Sequence, residues 1–144
     1  MQAIDVNYLA VLACGVASMV LGYVWYGPLF GKMWIEMMGF DKLDSSKQEA
    51  MKNSMTKSYS LTFVGSLVMA YVFSHFLIFT TSYMRTEGVS AGLSAGFWIW
   101  LGFLAPLTLG SVLWEGKSWK LWTLNNAYNL LQLLIFGVIL SLWK

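Results

Sequence analysis

The sequence predicts an all-α membrane protein: a four-transmembrane-helix antiparallel bundle with a short interfacial helix between helices 1 and 2. Three observations carry this expectation. The chain of 144 residues is 58% hydrophobic and only 11% charged, roughly half the charged share of a typical soluble domain. Its apolar residues fall into four charge-free runs, Val6 to Tyr26, Ser60 to Tyr83, Ala91 to Trp114 and Leu121 to Trp143. Each run exceeds the roughly 20 helical residues that a hydrocarbon core of about 30 Å requires. The runs also lack the polar stripes at the 3.6-residue period that a soluble helical bundle would show. In lipid, helices are favoured because they keep their backbone hydrogen bonds within the segment.

The first span is expected at about residues 6–26, bending or ending at Gly27 and Pro28, since proline has no N–H and disfavours a helical residue before it. No Lys or Arg precedes this run, and it is long for the apolar region of a cleaved signal, so it is expected to remain in the mature protein. Its single Cys14 rules out an intramolecular disulfide and reads as a small packing residue. Leu29 to Met38 mixes Lys32 and Glu36 with Phe30, Met33, Trp34, Ile35 and Met37, the pattern of a short helix lying in the interface and stopped by Gly39. Phe40 to Asp44 reads as a loop. Ser46 followed by Glu49 reads as a capping box that starts the next helix. From there a polar stretch holding Lys47, Glu49, Lys52 and Lys57 leads into the second span, about 60–83, which is expected to project several turns beyond the membrane.

The third and fourth spans, about 91–114 and 121–143, follow through short connections, which favour antiparallel neighbours in a single transmembrane domain over residues 1–144. Ala10, Cys14, Ser18 and Gly22 recur every four residues on the first span, as do Ser66, Ala70 and Ser74 on the second. Gly92, Gly96, Gly102 and Gly110 mark the third, with Pro106 as a kink. Rows of small residues bring membrane helices together, here either within one subunit or between subunits.

Charge sets the expected orientation. Lys32, Lys42, Lys47, Lys52, Lys57, Lys117 and Lys120 flank one side of the spans, against Arg85 and Lys144 on the other. The positive-inside rule then puts loops 1-2 and 3-4 in the cytoplasm and both termini outside, in a multi-pass protein of the cell inner membrane.

Few residues stand out as carriers of function. Asn125, Asn129 and Gln132 on the fourth span lie within about 60° of one another around a helix. They read either as the polar lining of a pathway or as interhelical packing glue. His75, the only histidine, could relay a proton or ligate a pigment, or simply satisfy itself on a helix carbonyl. Glu115, Lys117 and Lys120, with Trp25 and Tyr26, form a candidate cytoplasmic interface. They could hold a phosphate headgroup or partner loop, or serve as a self-neutralising turn between tryptophan anchors.

No phosphate-binding glycine loop, His and Cys metal cluster or Ser, His and acid set is visible, so no enzyme is expected. Spans free of Asp, Glu, Lys and Arg also count against a charge-driven pump.

The segments VLGYVWYGPLFGKMW (20–34) and GFWIWLGFLAPLTLGSVLWEGKSWKLWTLNNAYNLL (96–131), with SLVMAYV (66–72), resemble a family of small bacterial four-span membrane proteins catalogued as a domain of unknown function. The resemblance covers nearly the whole chain and implies the four-helix architecture and a bacterial origin. It brings no activity, cofactor or site residue.

The function expected from these readings is that of a non-enzymatic integral membrane protein acting as an oligomer, forming a small-solute or ion pathway. The alternative is an accessory or structural subunit of a larger membrane complex, binding lipid or a pigment. Expected partners are the lipid bilayer and either further copies of the chain or a larger membrane complex, not nucleic acid. No cofactor is specified by the residues.

Overall fold

The structure is a computed structural model describing residues 4–143; Lys144, counted in the charge bias, lies outside them. Helix α1 (Tyr8–Val24) starts at Asn7, whose side-chain oxygen accepts from the backbone N–H groups of Leu9 and Ala10 at 3.0 and 3.2 Å. It continues as a π-helical turn, Trp25–Leu29, around Pro28, with the Phe30 N–H donating to the Trp25 carbonyl at 3.0 Å. Pro28 supplies no donor, and the widened turn carries the chain past it by one extra residue. The first span is therefore helical through Leu29, three residues beyond its expected end.

A Cβ on Gly31 would stand 2.8 Å from the Tyr26 carbonyl oxygen, so only glycine permits this approach. The interfacial helix α2 (Gly31–Met38) begins there rather than at Leu29, and Gly39, at φ 75°, ends it as expected. A 3-10 turn, Phe40–Lys42, follows.

Helix α3 (Ser45–Met84) is capped by Asp44, not by Ser46. The Asp44 carboxylate accepts from the Lys47 N–H at 2.9 Å, and the Ser46 hydroxyl donates to the same carboxylate at 3.0 Å. The carboxylate is the stronger acceptor for a helix N-terminus and precedes the serine, so it takes the capping position. At 40 residues, α3 is about 60 Å long, about twice the thickness of a hydrocarbon core. Its polar first part thus extends beyond the span. Arg85 and Gly88, both at positive φ, make the turn into the third span.

That span is broken. It comprises α4 (Gly88–Ile99), a π-helical turn at Trp100–Leu104, α5 (Ala105–Thr108) and α6 (Gly110–Leu113). The irregularity precedes Pro106, as the π-turn of the first span surrounds Pro28. Helix α7 (Trp119–Leu142) is capped by Ser118, whose hydroxyl accepts from the Leu121 N–H at 3.1 Å. Four helical stretches, Tyr8–Leu29, Ser45–Met84, Gly88–Leu113 and Trp119–Leu142, are long and apolar enough to cross a membrane. This is the architecture of a multi-pass membrane protein.

Helix α7 is the hub, packing most extensively on α4 and also on α1 and α3, while α1 packs on α3. Gly92 and Gly137 meet backbone to backbone, and a Cβ on Gly96 would stand 2.7 Å from the Leu133 carbonyl oxygen. Gly102 has no such neighbour, and Gly110 meets only the Trp114 ring. The small-residue row of the third span therefore works only at Gly92 and Gly96: Gly102, six residues beyond Gly96, falls about 120° away around a helix, and the π-turn at Trp100–Leu104 separates Gly92 and Gly96 from Gly110. On α1 and α3, Ala10, Cys14, Ser18, Ser66, Ala70 and Ser74 are all buried. These rows join helices within one subunit. Outward faces carry Leu9, Leu12, Val16, Phe76, Phe79, Trp98 and Leu107, all exposed, as a lipid-facing surface requires. The Ser118 hydroxyl lies 3.9 Å from Met37 Sδ, which places the α1–α3 connection and the α6–α7 turn at the same end.

Candidate functional site

At that end, a cavity of about 710 Å³ opens between α1, α2 and the projecting half of α3, with Tyr128 of α7 as its rear wall. Local sequence builds each side of it. Helix α2 contributes Trp34 and Ile35 to its lining, and Gln48 of α3 donates from Nε2 to the carbonyls of Phe40 and Leu43 at 3.3 and 3.1 Å. That clasp holds the 40–43 segment, and so Phe40 and Asp41, at the mouth. Met51, Met55, Ser58 and Thr62 project from α3 into the opposite side.

One wall is a continuous run of aromatic rings. Tyr128 lies 5.2 Å from Tyr26, Tyr26 lies 5.3 Å from Trp34, and Trp34 lies 5.2 Å from Phe40, in tilted to edge-on geometries. Such pairs are mutually attractive through their ring quadrupoles. All four rings line the cavity, as do Asp41 and Lys52, the only formal charges of its lining among the described residues.

A polar chain linking three helices runs beside the cavity and reaches its lining at Ser18 and Thr62. Gln132, 5% exposed, donates from Nε2 to Ser18 Oγ at 2.6 Å. The Ser66 hydroxyl donates to the Thr62 carbonyl at 2.9 Å, so in the 2.9 Å contact between the two serines Ser18 is the donor. The chain runs Gln132, Ser18, Ser66, Thr62. Above it, the Tyr26 hydroxyl donates to Asn125 Oδ1 at 2.8 Å, and the Tyr128 hydroxyl makes a long 3.4 Å bond to the Ser18 carbonyl.

Of the polar stripe on the fourth span, Asn125 and Gln132 are thus brought to α1 of the same subunit, and Asn129 is half-buried between them along the helix. Sequence reasoning missed Asn126, the most buried amide, at 2% exposure. Its Nδ2 donates to Thr108 Oγ1 at 2.9 Å and to the Trp122 carbonyl at 3.1 Å. Trp122 Nε1 also donates to Thr108 Oγ1, at 3.1 Å, and Trp100 Nε1 donates to the Asn126 carbonyl at 3.0 Å. The Thr108 hydroxyl in turn donates to the Leu104 carbonyl at 2.8 Å. This network ties the irregular third span to α7. Its signal was present as an amide on a second face of the fourth span, opposite the π-turn and Pro106.

His75 lies far from the cavity on α3, with Nδ1 2.9 Å from the Tyr71 carbonyl and its ring 4.5 Å from that of Tyr71. The contact lies within its own helix. Glu115 and Lys120 are exposed and Lys117 is partly so, on a turn set by Gly116 at φ 71° and by the Lys117 N–H donating to the Ser111 carbonyl at 3.0 Å. Trp25 is half-buried. Its Nε1 is buried without a hydrogen-bond partner among the described residues, and its ring packs 4.8 Å from Phe30 and 6.3 Å from Tyr128. Tyr26 belongs to the cavity.

The family described as "Protein of unknown function (DUF1761)" matches residues 9–141, from the start of α1 to the end of α7. The chain belongs to this family. No curated protein and no solved structure matches it. The DUF1761 match spans every element that builds the cavity, including α2 and the whole of α3.

Proposed function

We propose that this DUF1761 protein is a non-enzymatic membrane protein that takes an amphipathic molecule from the bilayer into the cavity under α2, acting as an accessory subunit of a larger assembly. The cavity itself carries this reading. Its volume of about 710 Å³ falls within the roughly 300–1,000 Å³ of small-molecule sites, and it combines an apolar lining with a few placed polar groups. The Ser18 and Thr62 hydroxyls in its lining are already hydrogen-bonded to the protein, which suits holding a ligand better than transforming one. The lysine bias sets this end in the cytoplasm, so the cavity faces the inner leaflet of the inner membrane.

A pathway through several copies requires Asn125, Asn129 and Gln132 to line water. The bonds from Tyr26 to Asn125 and from Gln132 to Ser18 favour the binding reading instead.

The test is native mass spectrometry of the protein released from nanodiscs made with its own lipids, with Ser58→Trp as comparison. Ser58 lines the cavity, and an indole there occupies its volume. The wild type is expected to carry an adduct of amphiphile mass that Ser58→Trp lacks at an unchanged helix content. Equal adducts on both proteins, or none on either, would overturn the reading.

A further inference from the structure

We infer that the ligand carries an ammonium group, held against the aromatic wall Tyr128–Tyr26–Trp34–Phe40 with Asp41 at the mouth. The inference rests on the binding reading above and specifies its chemistry. Four rings in unbroken succession, each 5.2 or 5.3 Å from the next, line the cavity, and aromatic rings attract cations, quaternary ammonium groups among them. Trp34, the ring type with the strongest attraction for cations, stands between Tyr26 and Phe40.

Among the described residues, Asp41 supplies the only carboxylate of the lining. The Gln48 clasp on the Phe40 and Leu43 carbonyls fixes the short turn that carries it. Lys52, the one lining cation among the described residues, follows Gln48 by one helical turn on α3. A phosphate next to the ammonium therefore also finds a partner, as in a phosphocholine headgroup, while Met51, Met55 and Ile35 offer an apolar bed for a chain.

The experiment measures binding of dodecyltrimethylammonium, below its micellar concentration, to the full chain in nanodiscs of phosphatidylglycerol. Its uncharged isostere, with a tert-butyl carbon in place of nitrogen, is measured alongside. The charged probe is expected to bind about tenfold more tightly than the isostere. Trp34→Leu should remove that preference and Trp34→Phe should retain most of it, and Asp41→Asn, an exposed position, should reduce it without disturbing the fold.

Equal binding of both probes, still blocked by Ser58→Trp, would overturn the ammonium assignment and leave the cavity standing. Binding of neither would overturn both. Repeating the titration in phosphatidylcholine discs separates the sources of the ammonium: competition by the disc lipid supports a lipid headgroup, and unchanged affinity supports a free amphiphilic amine.

Discussion

Gln132 Nε2 stands 2.6 Å from Ser18 Oγ, a contact across 114 positions of sequence that closes a hydrogen-bond chain through α7, α1 and α3. It turns a polar residue in the middle of an apolar span from a cost into a tie between helices. An unpaired amide in hydrocarbon is unfavourable by several kcal/mol. The net worth of the bond is smaller, because the unfolded chain in a membrane also finds partners.

Gln132→Leu is accordingly expected to destabilise the bundle by about 0.6–1.7 kcal/mol, read from unfolding in mixed micelles. Ser18→Ala should cost a similar amount, and the double variant less than the sum. Additive losses would show that the chain does not act as a unit.

Glycines within the spans should separate into two classes. Gly92→Ala and Gly137→Ala each set a methyl against the facing backbone and are expected to cost about 1–3 kcal/mol, since backbone cannot move aside as a side chain can. Gly65→Ala, with nothing near its Cβ position, should be neutral or stabilise by up to about 1 kcal/mol through helix propensity. Thermal unfolding of the three variants in one detergent makes the comparison.

Asn126→Ala should be more damaging than Asn125→Ala. It leaves the buried Thr108 and Trp122 groups short of a partner, a loss of about 1–3 kcal/mol, whereas the Tyr26 hydroxyl freed by Asn125→Ala borders an open cavity. Hydrogen exchange should locate the Asn126→Ala effect in residues 100–113, the stretch this network holds.

The contact between Met37 and Ser118 gives a test of how α2 lies. In a Cys14→Ala background, Met37→Cys with Ser118→Cys should be joined by a short bismaleimide, whereas Met37→Cys with Glu87→Cys should not. Labelling by an impermeant maleimide should reach Gly116→Cys from the cytoplasmic side and Glu87→Cys from the opposite side. The reverse pattern would invert the orientation.

Much of the architecture is legible in the residues alone, because the preference of a side chain for lipid or water is a property of each position and its near neighbours. Four runs without charge specify four spans, Gly39 stops α2, and the regular spacing of Ala10, Cys14, Ser18 and Ser66, Ala70, Ser74 marks the faces that meet. The N-cap of α3 lies two residues earlier than the capping-box pattern indicates, since Asp44 accepts from the Lys47 N–H and the helix has already begun at Ser45. What local pattern could not reach is which polar group finds which partner. Whether Gln132 faces water or Ser18, whether Gly102 touches a helix, and that Tyr26, Trp34, Phe40 and Tyr128 form one wall all depend on how distant helices pack. Those choices are made by backbone close approach and by the cost of leaving an amide unpaired in an apolar interior, and both exist only once the helices are assembled.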